Sequence, residues 1–340
     1  MDSLTQIVLG AAVGEAVAGK KLGNKAMVWG AVAGTLPDLD ILLNPWLGMV
    51  EQLSFHRSVT HSFLVAALIS PVFGYGLWKL YKQCNLSYFK CFLLFFLAFT
   101  THAILDSFTT WGTQLLWPFS NQGIAFYNIS VIDPFYTIPF LGFLVAASLC
   151  NRRSYTRAVL NYTGIAISSV YVLFTFYAKS VADDAFTESL QNQGIAYNSF
   201  ISKPTPFNAI LWSVTAETNS GFYTGFYSLL DDDKAIRFEF EPKQWHLLSE
   251  YRGNKKLERL LEITRGYYTV FKKGDGIYIN DLRFGKFDGW RRGEGRYVFI
   301  YHLMPAGNTL TFEEINYRPK PDAAYGRSFL NRILGKETGK

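Results

Sequence analysis

The chain has 340 residues, of which 49% are hydrophobic and 17% aromatic, and its formal net charge is +6. The mean hydropathy of +0.08 is low for a uniform membrane protein and high for a soluble one, which predicts two unlike halves dividing near residue 179. An excess of Lys and Arg in such a chain reports loop orientation and contact with lipid headgroups. Since the sequence has no RNA-binding or helix-turn-helix pattern, we expect no nucleic-acid partner.

Six apolar segments predict a membrane-embedded helical bundle over residues 1–180. A spanning helix needs about 20 mainly apolar residues. Charged side chains interrupt the first two segments, so either of these is a candidate re-entrant loop. Glycines at regular spacing in the same two segments predict close packing against neighbouring helices. The segments are 3–19 (with Glu15), 26–43 (with Asp38 and Asp40), 62–78, 91–105, 134–151 and 158–178.

The charges of the loops predict the orientation of the bundle. With six spans, the loops on one side of the membrane carry nine Lys and Arg residues, whereas the membrane loops on the other side carry only Arg57. The positive-inside rule places the nine basic residues in the cytoplasm. Both termini and the second half of the chain are then predicted to face outward, toward the periplasm or the exterior.

Three polar clusters interrupt the apolar half, and the predicted topology brings them all to the outer side of the membrane. They are Pro37–Asp40, His56–His61 and Thr101–Asp106. Ionisable side chains are costly near hydrocarbon, so they are candidates for function. His102 and Asp106 are four positions apart and share one face of a helix. Asp and His together suit zinc, manganese or iron, and one or two ions would fit this many ligands.

The polar clusters supply six predicted ligands of a divalent metal. Each one alone has an ordinary structural explanation, such as a hydrogen-bonded histidine or a carboxylate at the end of a helix. Their common position on one side of the membrane favours a metal site instead. The predicted ligands are Asp38, Asp40, His56, His61, His102 and Asp106.

Two further charged residues of the apolar half have alternative roles. Arg57 lies between two of the histidines, where it would neutralise a phosphate or a developing anion. Its structural alternative is an ion pair with a nearby carboxylate (Asp38, Asp40 or Glu51). Glu15 is expected to pair with Lys20 or Lys21, and it becomes a further ligand only if the first segments are re-entrant.

Five short motifs stand together in about the first 180 residues, namely Met1–Thr5, Gly34–Asp40, His56–Ser62, Thr101–Asp106 and Gly112–Phe119. In combination they resemble the YdjM-type family, whose members are described as inner-membrane, metal-dependent hydrolases. That family is distantly similar to zinc-dependent phospholipase C and to single-strand-specific nucleases. The resemblance implies hydrolysis of a phosphoester in a lipid or envelope substrate. Many relatives carry a histidine where this chain has Gln6.

The resemblance also implies a mechanism, in which zinc, or else manganese or iron, activates a water molecule for attack on phosphorus or a carbonyl group. Asp40 or Asp133 would accept the proton, and Arg57 would stabilise the anion. A cation or proton transporter would use the same Asp and His residues, and so would a scaffold with a structural metal. The lack of an internal repeat and the position of the clusters at segment ends favour the enzyme.

The sequence of the second half predicts an extramembrane domain. Residues 181–205 are expected to form a connecting helix and a stiff linker that ends at Lys203–Pro206. Residues 206–340 predict an outward-facing α+β domain with one amphipathic helix at Lys255–Arg265. His246 and His302 lack a ligand partner at a recognisable spacing, so we expect both to be structural. The predicted strands are 209–217, 222–230, 235–241, 267–272, 276–284, 296–304 and 308–315.

Overall fold

The computed structural model describes residues 1–291, 295–306, 309–316 and 322–336. These residues divide into two compact units. The first unit comprises residues 1–45, 55–176 and 206–208. The second comprises residues 46–54, 177–205 and the described part of 209–340.

The first half of the chain is helical, as predicted. Short 3₁₀ segments at Pro37–Trp46, Val59–His61 and Lys82–Cys84 separate some of the helices. The helices are α1 (Ser3–Leu22), α2 (Asn24–Thr35), α3 (Met49–Phe55), α4 (Phe63–Leu80), α5 (Tyr88–Ser107), α6 (Pro134–Leu149) and α7 (Tyr155–Asn192).

Three helices among the described residues are long and apolar enough to cross a membrane, namely α4, α5 and α7. A fourth span is available if α2 and the 3₁₀ segment Pro37–Trp46, which meet at an angle of 41°, cross together. The six predicted spans are therefore not confirmed. Helix α6 has 16 residues and extends about 24 Å, which is less than the roughly 30 Å of the hydrocarbon core. Helix α1 is rich in Gly and Ala and also includes Glu15 and two lysines.

Helices α1 and α2 pack closely through glycines, which confirms the packing predicted from sequence. A β-carbon on Gly10 would collide with the carbonyl oxygen of Gly30, and one on Gly14 would collide with the carbonyl oxygen of Ala26. Only residues without a side chain allow two helix backbones to approach this closely. The contact fixes α2, and with it the polar turn that follows α2, against the start of the chain.

Pro37 breaks the helix that precedes the first polar cluster. Helix α2 ends at Thr35, and the chain continues from Pro37 as a 3₁₀ segment. Proline has no N–H to donate to the preceding turn, and its ring clashes with the carbonyl group four residues earlier. The bend places Asp38 and Asp40 at the start of the new segment, next to the end of α2.

The second unit contains two antiparallel four-stranded sheets, each with its strands side by side in chain order. The first sheet contains β1 (Ser199–Pro204), β2 (Leu211–Glu217), β3 (Gly221–Ser228) and β4 (Phe238–Pro242). The second contains β5 (Tyr268–Lys273), β6 (Gly276–Asp281), β7 (Phe299–Ala306) and β8 (Thr309–Asn316). Helices α8 (Lys255–Ile263) and α9 (Ala323–Ile333) also lie in this unit, as do the part of α3 up to Ser54 and the part of α7 from Tyr177 onward.

The seven predicted strands and the amphipathic helix α8 are confirmed, but the predicted linker is partly wrong. Ser199–Pro204 forms strand β1, in which Lys203 lies opposite Ser213 and Pro204 opposite Trp212. Proline is accepted here because β1 is at the edge of the sheet and Pro204 is its last residue. The first part of the linker is helical as expected, because α7 continues to Asn192.

The second unit contains two apolar cores. Ala182 and Phe186 of α7 pack with Trp212 and Val214 of the first sheet. On the second sheet, Leu257 of α8 belongs to a separate buried cluster that includes Val270, Ile279 and Tyr301. The alternation of inward apolar and outward polar residues along the strands produces both cores.

Candidate metal centre

Four side chains of the first unit converge at one point, namely Asp38, His61, His102 and Asp106. One ligand atom from each lies within 4.8 Å of the ligand atoms of the other three. Asp38 follows the bend at Pro37, and His61 ends the 3₁₀ turn Val59–His61. His102 and Asp106 lie on successive turns of α5, as their spacing predicted.

The distances that involve the two histidines are close to those expected around a single ion. The Nε2 atoms of His61 and His102 are 3.1 Å apart. Asp38 Oδ1 lies 3.4 Å from the first of these nitrogens and 3.5 Å from the second. Asp106 Oδ2 lies 3.4 Å from His61 Nε2 and 3.9 Å from His102 Nε2. Ligands at zinc-like bond lengths in a tetrahedron are about 3.3–3.6 Å apart.

Hydrogen bonds fix the tautomer of both imidazoles. His102 Nδ1 lies 2.7 Å from the carbonyl oxygen of Gly34, which can only accept, so Nδ1 carries the proton. Thr60 Oγ1 donates its single proton to Asp40 Oδ2 at 3.0 Å. The same hydroxyl therefore accepts from His61 Nδ1, which is 2.9 Å away. Both Nε2 atoms consequently present lone pairs to each other, and a cation between them removes the repulsion.

Asp106 is buried and still has one oxygen directed at the imidazoles. Its Oδ1 accepts from the amino group of Met1 and, at 2.9 Å, from Gln6 Nε2. Its Oδ2 accepts no hydrogen bond of good geometry, although Arg57 Nε lies 3.0 Å away. A buried carboxylate oxygen is costly without a partner. A metal ion at the cluster would satisfy it, so the residues present fit a divalent cation.

Three of the four side chains in the cluster are buried, and the fourth is partly exposed. The side chains of His61, His102 and Asp106 are 0–1% exposed, whereas that of Asp38 is 26% exposed. Burial lowers the pKa of His61, but the neighbouring carboxylates of Asp106 and Asp38 outweigh burial and raise the pKa above its usual value. The electrostatics of the cluster thus favour a bound positive charge.

Comparison with known protein families identifies the family of the region that contains this cluster. The sequence profile described as YdjM inner membrane protein matches residues 1–182. The chain belongs to the YdjM family. Together with the apolar helices, this membership indicates a membrane protein. It also confirms the resemblance to this family that the five sequence motifs indicated.

Two relatives extend the comparison. The uncharacterized protein YfhP of Bacillus subtilis strain 168 is 29% identical over 326 residues, which cover 92% of this chain and 93% of YfhP. The inner membrane protein YbcI of Escherichia coli strain K12 is 26% identical over 144 residues, which cover 40% of this chain and 82% of YbcI. No solved structure matches the chain.

Two of the six predicted ligands, Asp40 and His56, lie beside the cluster of this YdjM-family protein and not in it. Asp40 Oδ1 is 2.9 Å from His56 Nδ1, and Asp40 Oδ2 accepts from Thr60. Through Thr60, the Asp40–His56 pair orients His61. Asp40 is buried, whereas the His56 side chain is 32% exposed.

Arg57 is buried at the cluster in a left-handed backbone conformation, with a φ of 61°. Its Nη1 donates to Thr109 Oγ1 at 2.9 Å, and its Nε faces Asp106 at 3.0 Å. The structural alternative for Arg57 was an ion pair with Asp38, Asp40 or Glu51, but its side chain pairs with Asp106. Glu51 pairs with Lys256 at 3.1 Å. Arg57 is thus placed beside a ligand, where it partly neutralises the negative charge of the cluster.

The structure does not bring Asp133 into the cluster. Its Oδ1 accepts from the backbone N–H groups of Phe135 and Tyr136, which makes it the N-cap of α6. The hydroxyl of Tyr171 also donates to it, at 2.9–3.0 Å. An Asp immediately before Pro134 is a typical helix start, and this is the signal that identifies its structural role.

Glu15 pairs with Arg157 at the start of α7, so the expected pairing with Lys20 or Lys21 is wrong. Arg157 Nε and Nη2 each donate to one carboxylate oxygen of Glu15 at 2.6 Å, and both side chains are nearly fully buried. The planar guanidinium matches a carboxylate with two parallel hydrogen bonds, which a lysine cannot do. Glu15 is therefore a structural tie between α1 and α7.

Sequence reasoning missed two groups that support the ligands, and it named a third only as a position where many relatives carry a histidine. The missed groups are the Thr60 hydroxyl and the Gly34 carbonyl, which contact His61 and His102, and the third is the Gln6 amide, which contacts Asp106. Thr60 directly precedes His61 in the sequence, so its side chain was a candidate partner for the ring nitrogen that does not face the metal. The other two contacts depend on tertiary packing.

Proposed function

We propose that this protein is a membrane-embedded, metal-dependent hydrolase of phosphoesters. The proposal rests on the two Nε2 lone pairs that face each other at 3.1 Å, flanked by two carboxylates. Membership of an inner membrane protein family supports a membrane location. Two imidazoles and two carboxylates at these spacings favour zinc, with manganese and iron as alternatives.

The surrounding residues have separate roles in this proposal. A bound divalent ion lowers the pKa of a water molecule and polarises a phosphoryl oxygen. Asp40, whose carboxylate contacts His56 Nδ1 directly, would accept the proton and pass it to the more exposed His56. Arg57 would limit the negative charge at Asp106 and stabilise the anion that forms. A role for Asp133 in this step remains a prediction.

Metal analysis of the detergent-purified protein tests the proposal. We expect about one divalent ion per chain, lost in the variants His61→Ala and His102→Ala. His246→Ala, which removes a histidine of the second unit, is the matched control and should keep its metal. Hydrolysis of a soluble phosphodiester and of a phospholipid should follow the metal content. Protein without metal, with activity unchanged in both site variants, would end the proposal.

A second candidate function is a scaffold in which the metal is purely structural. One observation favours it, because the four protein ligands, three of them buried, would be enough to fill all four positions of a tetrahedral zinc site. Chelation separates the two functions. A structural ion predicts a large loss of thermal stability on chelation and no hydrolysis by the metal-loaded form. A catalytic ion predicts a reversible loss of hydrolysis while the helices stay folded.

We also infer that the cluster and the second unit face the periplasm or the exterior. The inference rests on the charges of the loops, nine basic residues against one. The lipid bilayer itself and a lipid or envelope phosphoester are the partners that this placement implies.

A further inference from the structure

The approach to the metal cluster is on the side of Asp38. Among the four ligands, only the Asp38 side chain has substantial exposure, at 26%. A substrate that reaches the cluster must therefore pass the 3₁₀ segment that carries this residue, Pro37–Trp46. The character of that segment selects what can enter.

This segment presents hydrocarbon to its surroundings. Beyond Asp40 it has no charged residue up to Trp46. Four large apolar side chains, which we call the apolar rim, are 46–62% exposed: Leu39, Ile41, Leu42 and Leu43. Contiguous exposed apolar side chains are unfavourable in water and mark a lipid or partner surface. Together with α2, the segment is also long and apolar enough to cross a membrane. This favours lipid as the material that contacts its exposed side chains.

A second apolar wall is held next to His61. The backbone N–H of Phe63 donates to the Leu115 carbonyl at 3.0 Å, and Ser62 Oγ donates to the Trp117 carbonyl at 2.6 Å. These bonds fix the loop Leu115–Phe119 beside the start of α4. Within this loop, Leu116 is 53% exposed and Phe119 is 83% exposed. No Lys or Arg occurs in residues 37–46 or 115–119, so neither wall attracts a soluble anion.

We propose that the substrate is a membrane lipid that enters laterally from the bilayer. Its acyl chains would lie along the apolar rim and the loop Leu115–Phe119, and its phosphate would reach the ligands past Asp38. The inference rests on the proposed function, and it adds that the substrate is an acyl lipid and that a soluble phosphoester is a poor substitute. Burial of hydrocarbon against the two walls supplies the binding free energy.

Hydrolysis assays on the protein in lipid nanodiscs test the route. Leu42→Asn should lower the rate on a diacyl phospholipid about tenfold, because the acyl chain would lose the binding free energy of its contact with one leucine side chain. The rate on bis(p-nitrophenyl) phosphate and the metal content should not change. Leu68→Asn is the matched control, since Leu68 on α4 is 65% exposed against 62% for Leu42. Equal loss of both activities in Leu42→Asn, or equal effects of the two variants on lipid hydrolysis, would overturn the proposal.

Photolabelling of the unmodified protein provides a test that needs no activity. A phospholipid with a diazirine in its acyl chain should label peptides that contain residues 39–43 and 115–119. Labelling there without any hydrolysis would keep the lipid route and reject the hydrolase. Hydrolysis of the soluble ester without labelling of either peptide would keep the hydrolase and reject the lipid route.

Discussion

Replacing Thr60 with Val removes the group that fixes the tautomer of His61 while keeping the shape of the side chain. Thr60 Oγ1 lies 2.9 Å from His61 Nδ1 and 3.0 Å from Asp40 Oδ2. Without the hydroxyl, the proton of His61 is free to move to Nε2, where it occupies the lone pair that faces the metal. Changes in the partners of metal-bound histidines typically cost about 10–100-fold in affinity. That range corresponds to about 1.4–2.7 kcal/mol.

A competition titration against a chromophoric zinc chelator measures this loss in detergent-purified protein. Thr60→Ser keeps the hydroxyl and should bind zinc nearly as tightly as the unmodified chain. Because Thr60→Val also leaves Asp40 with one donor fewer, the thermal stability of the metal-free proteins should be compared in parallel. Unchanged affinity in Thr60→Val would refute the reasoning about tautomers. An equal loss in Thr60→Ser would refute it as well, since it would show that shape, and not the hydrogen bond, is what matters.

Three further predictions concern stability and topology. Arg157→Ala should destabilise the first unit by about 3–5 kcal/mol in thermal unfolding, because it leaves Glu15 buried without its partner; Arg157→Lys should lose less, and equal stability of all three proteins would contradict the role of the ion pair. Burial lowers the pKa of Lys203 to about 7, against the opposing effect of Asp281. Between pH 7 and pH 10 the unfolded chain therefore binds one proton more than the folded chain, and the stability of the second unit should rise with pH by up to about 4 kcal/mol. Lys203→Met should abolish this rise, and an identical pH dependence in the variant would contradict the shift. Cys84 is exposed in a loop predicted to be cytoplasmic, so a membrane-impermeant maleimide should label it only after the cells are opened. Labelling in intact spheroplasts would show that the predicted topology is wrong.

The fold of the second unit was largely predictable because its strands alternate apolar and polar residues. The predicted segment 222–230 corresponds to β3, in which Phe222 is buried and Tyr223 is not. Strand β1 escaped prediction because Lys203 and Pro204 are poor strand residues by propensity. Pairing with β2 and an edge position override that propensity.

The membrane half was less predictable because hydropathy alone does not fix helix length. The boundaries of α4 and α5 follow their apolar runs closely. Helix α6 has a similar hydropathy but ends at Leu149, and at 16 residues it is too short to be counted as a span. The partner of Glu15 could not be predicted either, because Glu15 and Arg157 are 142 positions apart in the sequence.

The metal cluster was predictable in residue type and only partly in geometry. His102 and Asp106 follow from helical spacing alone. Asp38 and Asp40 could not be separated by sequence, because the 3₁₀ segment after Pro37 decides which carboxylate faces the imidazoles. His56 and His61 differ for a similar reason, since Thr60 turns only His61 toward the cluster.

X-ray absorption spectroscopy on the zinc-loaded protein tests the central claim most directly. Two imidazole nitrogens at about 2.0–2.1 Å and carboxylate oxygens at about 2.0–2.2 Å should surround the zinc, and the imidazole signal should halve in His61→Ala. A spectrum without imidazole, or one that His61→Ala and His102→Ala both leave unchanged, would show that zinc does not bind between these two histidines.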